Sequence, residues 1–262
     1  MRIAAFQFDV RRGEVEANLS AVQAGLREAA QLEVELVLLP EMWPTSFMTA
    51  EDMQPWLQAS DEAVEKVREL SRELGLAVGG SAFGRNPAGR PFNTMRLFDA
   101  GEQVLTYHKV HLFSPTAEDQ AFTAGEQAPA CIDWRGWKLA AGICYDLRFP
   151  GIWKQAFCEQ AELVLVSAQW PVVRSKHWEL LLQGRAVEHQ AFFLGANRTG
   201  VDLLGRRQKQ LEFPGKSMLV SPHGEVLARG DAQTGLVMGE IQREEMRELR
   251  RTLPVRKDER LA

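Results

Sequence analysis

Apolar positions along the chain repeat with two periods, and each period predicts its own kind of element. Alternating or continuous apolar stretches predict strands at 2–9, 36–39, 76–83, 92–98, 103–108, 137–143, 163–167, 192–197 and 235–241. Helical spacing puts Val15, Leu19, Val22, Leu26 and Ala29 on one stripe of a helix at 15–30, and predicts further helices at 175–190 and 242–251. Asp61 and Glu62 open a helix with acids in its first turn. Its apolar face is Val64, Val67, Leu70 and Leu74, and Gly75 stops it. Another helix is expected at about 151–160, with Pro150 near its start, where a missing N–H costs little. Turn residues at Asp99-Ala100-Gly101 and Pro222-His223-Gly224 join 92–98 to 103–108 and 217–221 to 225–229 as hairpins. Residues 110–129 and 198–214 read as loops, and 254–258 as an extended tail. No linker, repeat or low-complexity block divides the chain, so residues 1–262 are expected to form a single domain. Helices alternate with strands, but hairpins interrupt the alternation. That pattern fits two packed sheets with helices outside better than one doubly wound sheet.

Composition narrows the possible partners. A net charge of -4 argues against a nucleic-acid footprint, and no apolar run approaches the length of a membrane span. Three cysteines, with no C-x-x-C spacing and no His-rich partner set, argue against a disulfide framework and against structural zinc. The first residues enter a strand-like segment with no signal-peptide apolar region. The expectation is a reducing cytoplasm, where a free thiol survives.

Candidate chemistry centres on Gly142-Ile143-Cys144-Tyr145-Asp146-Leu147-Arg148-Phe149-Pro150. Cys144 falls at a strand-to-helix turn. Such an elbow pushes a side chain out of the sheet and leaves the next N–H, that of Tyr145, to face a ligand. Taken alone, Cys144 reads equally as one more small buried residue. Two other ionisable residues also end predicted strands and sit in apolar, aromatic sequence: Glu41 after Leu38-Leu39-Pro40, and Lys109 after Tyr107-His108. A cysteine nucleophile needs a base for its proton and a cation for the developing oxyanion, and Glu and Lys supply both. A Cys–His dyad with one of His108, His111, His177, His189 and His223 is an alternative, with His111 nearest in the motif. Cys131 and Cys158 read as structural, Asp146 and Arg148 as braces of the elbow, and Trp43, Phe47, Phe113 and Trp170 as pocket-lining residues.

Leu39-Pro40-Glu41, Tyr107-His108-Lys109-Val110-His111-Leu112-Phe113 and Cys144-Tyr145-Asp146-Leu147-Arg148-Phe149-Pro150 occur in an order and at intervals that resemble the carbon–nitrogen hydrolase (nitrilase-like) superfamily. The segments Ser167-Ala168-Gln169-Trp170-Pro171, Ala196-Asn197-Arg198 and Gly215-Lys216-Ser217-Met218 extend the resemblance over nearly the whole chain. The resemblance implies an α/β fold, a four-layer αββα sandwich, with a catalytic Glu41–Lys109–Cys144 triad and no metal or organic cofactor. Glu118 and Tyr145 would support it, Glu118 as the second acid after the lysine motif. The elbow motif together with Leu39-Pro40-Glu41-Met42-Trp43-Pro44-Thr45-Ser46-Phe47 is similar to the ω-amidase branch, although Trp43-Pro44 stands where Phe and a small residue are expected. The branch implies hydrolysis of the terminal amide of an α-keto acid such as 2-oxoglutaramate or 2-oxosuccinamate. Another family amidase, such as a deaminated glutathione amidase or a carbamoyl-amine hydrolase, or a non-catalytic metabolite-binding member, are the alternatives. A small-molecule amide is the expected partner. Arg148, Arg174 and Lys176 are candidate cations for its carboxylate. The resemblance also implies a homodimer, here expected to bury the helix face around Trp153 and Phe157.

Overall fold

The computed structural model describes residues 1–48, 53–204 and 209–260. The chain opens with β1 (Arg2–Gln7), α1 (Val15–Gln31), β2 (Leu36–Leu38), α2 (Gln54–Leu74) and β3 (Ala77–Gly84), then turns through the hairpin of β4 (Phe92–Asp99) and β5 (Glu102–His108). A short helix α3 (Glu118–Ala121) interrupts the next loop. It is followed by β6 (Ile132–Trp134), β7 (Trp137–Ile143), α4 (Lys154–Cys158), β8 (Leu163–Ala168), α5 (Ser175–His189) and β9 (Phe192–Asn197). The remainder is β10 (Thr199–Leu204), β11 (Lys209–Pro214), β12 (Met218–Val220), β13 (Val226–Arg229), β14 (Gly235–Glu240), α6 (Arg243–Thr252) and α7 (Val255–Asp258).

Two six-stranded sheets result, ordered β14-β1-β2-β3-β4-β5 and β13-β12-β9-β8-β7-β6. Each has three parallel central strands, β1-β2-β3 in one and β7-β8-β9 in the other. Parallel strands covered on both faces read as continuous apolar runs, and Leu163–Ala168 and Phe192–Asn197 are buried throughout. Ile3, Ala5, Leu36 and Leu38 from the first sheet share one core with Leu139, Ala141, Leu163 and Leu165 from the second. Outside the first sheet, Leu19, Val22 and Leu26 of α1 and Ala63, Val67 and Leu70 of α2 close a second core over Phe6, Val37 and Val78. Trp178, Leu182 and Ala186 of α5 cover the outer face of the second sheet. The expected αββα sandwich is the observed fold.

Several expectations change. Helix α2 begins at Gln54 because Pro55 occupies its first turn with φ already helical. Asp61 therefore lies inside the helix, ion-paired with Arg85 at 2.6 Å. Residues 150–160 divide into a 3₁₀ turn, Pro150–Trp153, and α4. The tail expected to be extended forms α7, and β6 was not expected at all. The largest correction is at 198–214, read as loop, where β10 and β11 pair as an antiparallel ribbon. Its alternation is inverted: Val201 and Leu203 face outward at 52% and 47% exposure, whereas Asp202 is buried against Arg198. An apolar-in pattern therefore finds no strand there.

Gly142 lets Trp153 reach the strand that leads to Cys144; a Cβ there would lie 2.4 Å from the indole ring. The same indole N–H donates to the Asp146 carbonyl at 3.1 Å. Gly142→Ala is expected to destabilise the protein by about 1–3 kcal/mol through overpacking and to slow alkylation of Cys144. Urea denaturation and iodoacetamide labelling check both; an unchanged midpoint would mean that the ring yields without cost.

Candidate active site

Four strand ends converge on one cavity. Glu41 lies just beyond β2, Lys109 follows β5, Cys144 follows β7 and Gln169 follows β8. In layered α/β folds the carboxyl ends of strands are where loops can carry reacting groups while the sheet holds them fixed. Lys109 is also tied to β4, its N–H donating to the Asn93 carbonyl at 2.9 Å, and its own carbonyl accepts the Gly125 N–H at 2.8 Å.

Lys109 Nζ lies 2.7 Å from Glu41 Oε1 and 2.9 and 2.8 Å from the two oxygens of Glu118. Lysine and Glu41 are each 1% exposed. Burial alone would depress the lysine pKa, but Glu118, Glu41 and the neighbouring Cys144 outweigh it and raise the pKa, so the ammonium persists. Glu41 has its pKa raised, first by burial and then by Glu118, against the pull of Lys109. Its Oε2 accepts the Gln169 N–H at 3.0 Å, and its Oε1 also accepts from Asn93 Nδ2 at 2.9 Å. Glu118 accepts from Asn93 at 3.1 Å and from the Phe113 N–H at 2.7 Å in addition to Lys109. With both oxygens so engaged, Glu118 is built to orient the ammonium.

Cys144 has φ 45°, the left-handed region that costs an L-residue energy and marks a constrained turn. It opens the 3₁₀ turn Cys144–Arg148. Asp146 holds that turn: its carboxylate accepts the Ile143 N–H at 3.2 Å, the Tyr107 hydroxyl at 2.8 Å and the His111 N–H at 2.9 Å. Asp146 is thus a brace of the elbow, as expected. The thiol lines the same cavity as Glu41. Burial and then Glu41 push its pKa well up, while Lys109 and the Gln169 N–H pull it down. At rest the group is a neutral thiol beside a carboxylate and an ammonium. His111 does not join it. Its Nδ1 is 3.0 Å from Asp146, its ring stacks on Phe149 at 3.8 Å, and it does not line the cavity, which removes His111 as the partner of Cys144. Of the other histidines His177 does line the cavity, with its Nδ1 3.3 Å from Arg148 Nη2.

The cavity is ≈ 210 Å³. Glu41, Lys109, Glu118 and Cys144 are gathered in it with Phe47, Phe113, Tyr145, Trp170 and Arg148, as expected from sequence. Trp43 is not among its lining residues; it packs in the core beneath the first sheet, close to Gly80. Sequence reasoning missed Gln169, Leu204 and Leu211 as lining residues, and it missed Asn93. Gln169 carries the same strand-end signal as the others, whereas Leu204 and Leu211 belong to the ribbon read as loop. Arg148 lies over Trp170 at 5.2 Å and Arg174 over Phe113 at 5.6 Å. Among the described residues neither has a carboxylate partner. Lys176 is exposed and lies outside the cavity.

Fold and site define a class: αββα sandwiches that gather a glutamate, a lysine and a cysteine at converging strand ends. The profile of the family described as Carbon-nitrogen hydrolase matches residues 2–251, and the chain belongs to that family. It is a hydrolase of carbon–nitrogen bonds. It is 29% identical to the 2-oxoglutaramate amidase of Bacillus subtilis (strain 168), over 97% of this chain and 95% of that protein. It is 33% identical to Omega-amidase YafV of Escherichia coli (strain K12), over 86% of this chain and 84% of that one. Among solved structures, it is similar to a glutamate-to-glutamine variant of the amidase from Nesterenkonia sp. AN1. That structure shows covalent addition of the acetamide moiety of fluoroacetamide at the active-site cysteine. The TM-score is 0.84 at 29% identity, covering 97% of this chain and 96% of that one.

The buried ammonium between two carboxylates makes a stability prediction. Lys109→Met leaves Glu41 and Glu118 without their counter-charge, which is expected to cost about 3–5 kcal/mol at neutral pH. As pH falls Glu41, whose carboxyl pKa burial already pushes up, takes up a proton, so the deficit relative to wild type should be smaller at acid pH than at alkaline pH. Urea denaturation at both ends of the range reads it; an equal deficit at both would contradict the charge argument.

Proposed function

We propose that the protein is an ω-amidase, hydrolysing the terminal amide of an α-keto acid, 2-oxoglutaramate or 2-oxosuccinamate, to the dicarboxylate and ammonia. One observation carries this reading: a single small cavity holds the thiol–carboxylate–ammonium set together with two guanidinium groups that have no carboxylate partner among the described residues. A substrate with an amide at one end and a carboxylate at the other matches both. The names of the relatives from Bacillus subtilis and Escherichia coli support the same substrate class. At ≈ 210 Å³ the cavity is smaller than the ~300–1,000 Å³ of pockets for drug-sized ligands, which favours a short keto acid amide over a deaminated tripeptide.

In this mechanism Glu41, Lys109 and Cys144 are the catalytic residues. Glu41 takes the thiol proton as the Cys144 sulfur attacks the amide carbon. A raised carboxyl pKa makes Glu41 a better proton acceptor, and the transfer is needed only at the moment of attack because the resting thiol is neutral. Lys109 and the Tyr145 N–H stabilise the tetrahedral oxyanion. Glu41 returns the proton to the leaving nitrogen and ammonia departs, leaving a thioester on Cys144. Glu41 then activates water, the acid is released and the thiol is restored. Glu118 keeps Lys109 charged and aimed. Arg148 and Arg174 hold the substrate carboxylate, with Phe47, Phe113 and Trp170 as walls. The three free cysteines support a reducing cytoplasmic setting, and among the described residues no helix is long and apolar enough to cross a membrane.

Steady-state assays of ammonia release test the proposal. Both keto acid amides are expected to show far higher kcat/KM than glutamine, asparagine or a simple nitrile, because an α-ammonium would be left buried and unpaired. Cys144→Ala should release no ammonia. Arg148→Ala and Arg174→Ala should raise KM for the keto acid amides roughly 10–100-fold, the value of a charge-assisted hydrogen bond, with little effect on a neutral amide. Equal rates on glutamine, or a preference for deaminated glutathione, would overturn the substrate assignment.

A homodimer is proposed through a different surface from the one expected. Trp153 is fully buried within its own chain and offers nothing to a partner. Leu180 and Val187, one heptad apart on α5, are 57% and 50% exposed, and Val173, in the 3₁₀ turn before the helix, is 71% exposed. A row of this kind on one helix suits the self-complementary contact of a twofold dimer. Leu180→Asp should shift the mass by light scattering from dimer to monomer; a monomeric wild-type protein at micromolar concentration would refute the dimer.

A further inference from the structure

Glu41 and Glu118 share one ammonium, so the cluster is net negative whenever both are ionised. A buried cluster of that kind needs neutral donors to replace the water it has lost. Asn93, 1% exposed, supplies two: Nδ2 donates to Glu41 Oε1 at 2.9 Å and to Glu118 Oε1 at 3.1 Å. Its Oδ1 is buried without a hydrogen-bond partner among the described residues. The opposite amide orientation would set that oxygen against two carboxylate oxygens, so repulsion fixes the one observed. Through its main-chain carbonyl the same residue accepts the Lys109 N–H at 2.9 Å. One position on β4 therefore holds all three charged partners.

The donors on Glu41 are shared unequally. Oε1 takes both Lys109 Nζ and Asn93 Nδ2, whereas Oε2 takes the Gln169 N–H. An oxygen already carrying two donors, one of them cationic, is the poorer proton acceptor. We infer that Asn93 is a positioning residue that keeps Oε1 of Glu41 loaded and so reserves Oε2 for the proton of Cys144. The proton passes from Sγ to Oε2 as the carbon–sulfur bond forms. It passes from Oε2 to the departing nitrogen as the carbon–nitrogen bond breaks. Oε1 keeps both donors throughout. The inference rests on the proposed role of Glu41 as the base.

The pH profile of kcat/KM tests it. The groups facing Glu41 are Lys109, Glu118 and Cys144, with the neutral donors of Gln169 and Asn93. Asn93→Ala removes a donor that favours the carboxylate, and Asn93→Asp adds a like charge. Either change makes Glu41 hold its proton to higher pH, so the acid limb should move up by about one unit. Turnover should fall roughly 10–100-fold, carried by kcat with KM within a few-fold. Should Asn93→Ala fail to fold, the near-isosteric Asn93→Asp reads the same limb. An acid limb unmoved in the folded variants, or a loss carried wholly by KM, overturns the inference. Glu41→Gln separates this failure from that of the mechanism. Full activity in Glu41→Gln would remove the base itself. An inactive Glu41→Gln beside unshifted Asn93 variants would overturn only the role of Asn93.

Discussion

The interaction on which the structure depends is the contact of Lys109 with Glu41 and Glu118, three charged groups almost wholly removed from water. Stripping ions of solvent costs several kcal/mol each, and their attraction offsets this only where geometry is tight and the remaining lone pairs are filled. Both conditions hold. Asn93, the Gln169 N–H and the Phe113 N–H occupy carboxylate positions that Lys109 leaves open. The same enclosure raises the pKa of Glu41 and leaves Cys144 a neutral thiol. What makes the cluster expensive to fold is what shifts the proton affinities of Glu41, Lys109 and Cys144.

The sandwich serves that cluster. The groups of the site come from both sheets, so the site exists only when the sheets are stacked: Glu41 and Lys109 follow strands of the first sheet, Cys144 and Gln169 strands of the second. Ser167 on β8 donates to the Leu39 carbonyl beyond β2 at 2.7 Å, a hydrogen bond across the layers two residues from Glu41. Asp146 performs the same service at the elbow, joining the turn after β7 to Tyr107 and His111 from the opposite sheet.

A second buried charge group braces the other side. Arg198 reaches Asp202 at 2.9 Å and Asp9 at 3.1 Å, and its Nη1 donates to Gln169 Oε1 at 3.2 Å. Gln169 Nε2 in turn donates to the Glu41 carbonyl at 2.8 Å. The β10–β11 ribbon, which lends Leu204 and Leu211 to the cavity wall, is thereby connected to the main chain of Glu41 through two side chains. The position of the wall and the position of Glu41 are therefore not independent.

The sequence alone determined the strands and helices whose apolar faces bury into cores, since periodicity reports burial directly. It also placed Glu41, Lys109 and Cys144, because each ends an apolar strand and reacting groups belong at such ends. Glu118, Tyr145, Phe47, Phe113, Arg148 and Trp170 were legible through the motifs around them. The β10–β11 ribbon was not, because its inward position is an aspartate neutralised by an arginine that only the fold brings near. Asn93 was not, because a neutral amide within β4 carries no pattern until two carboxylates from elsewhere in the chain close on its nitrogen. The tertiary structure also decided that His111 serves Asp146 rather than the thiol, and that Trp153 belongs to the core. Each of these depends on which polar groups meet after water has been excluded, and periodicity along a chain records burial but not partners.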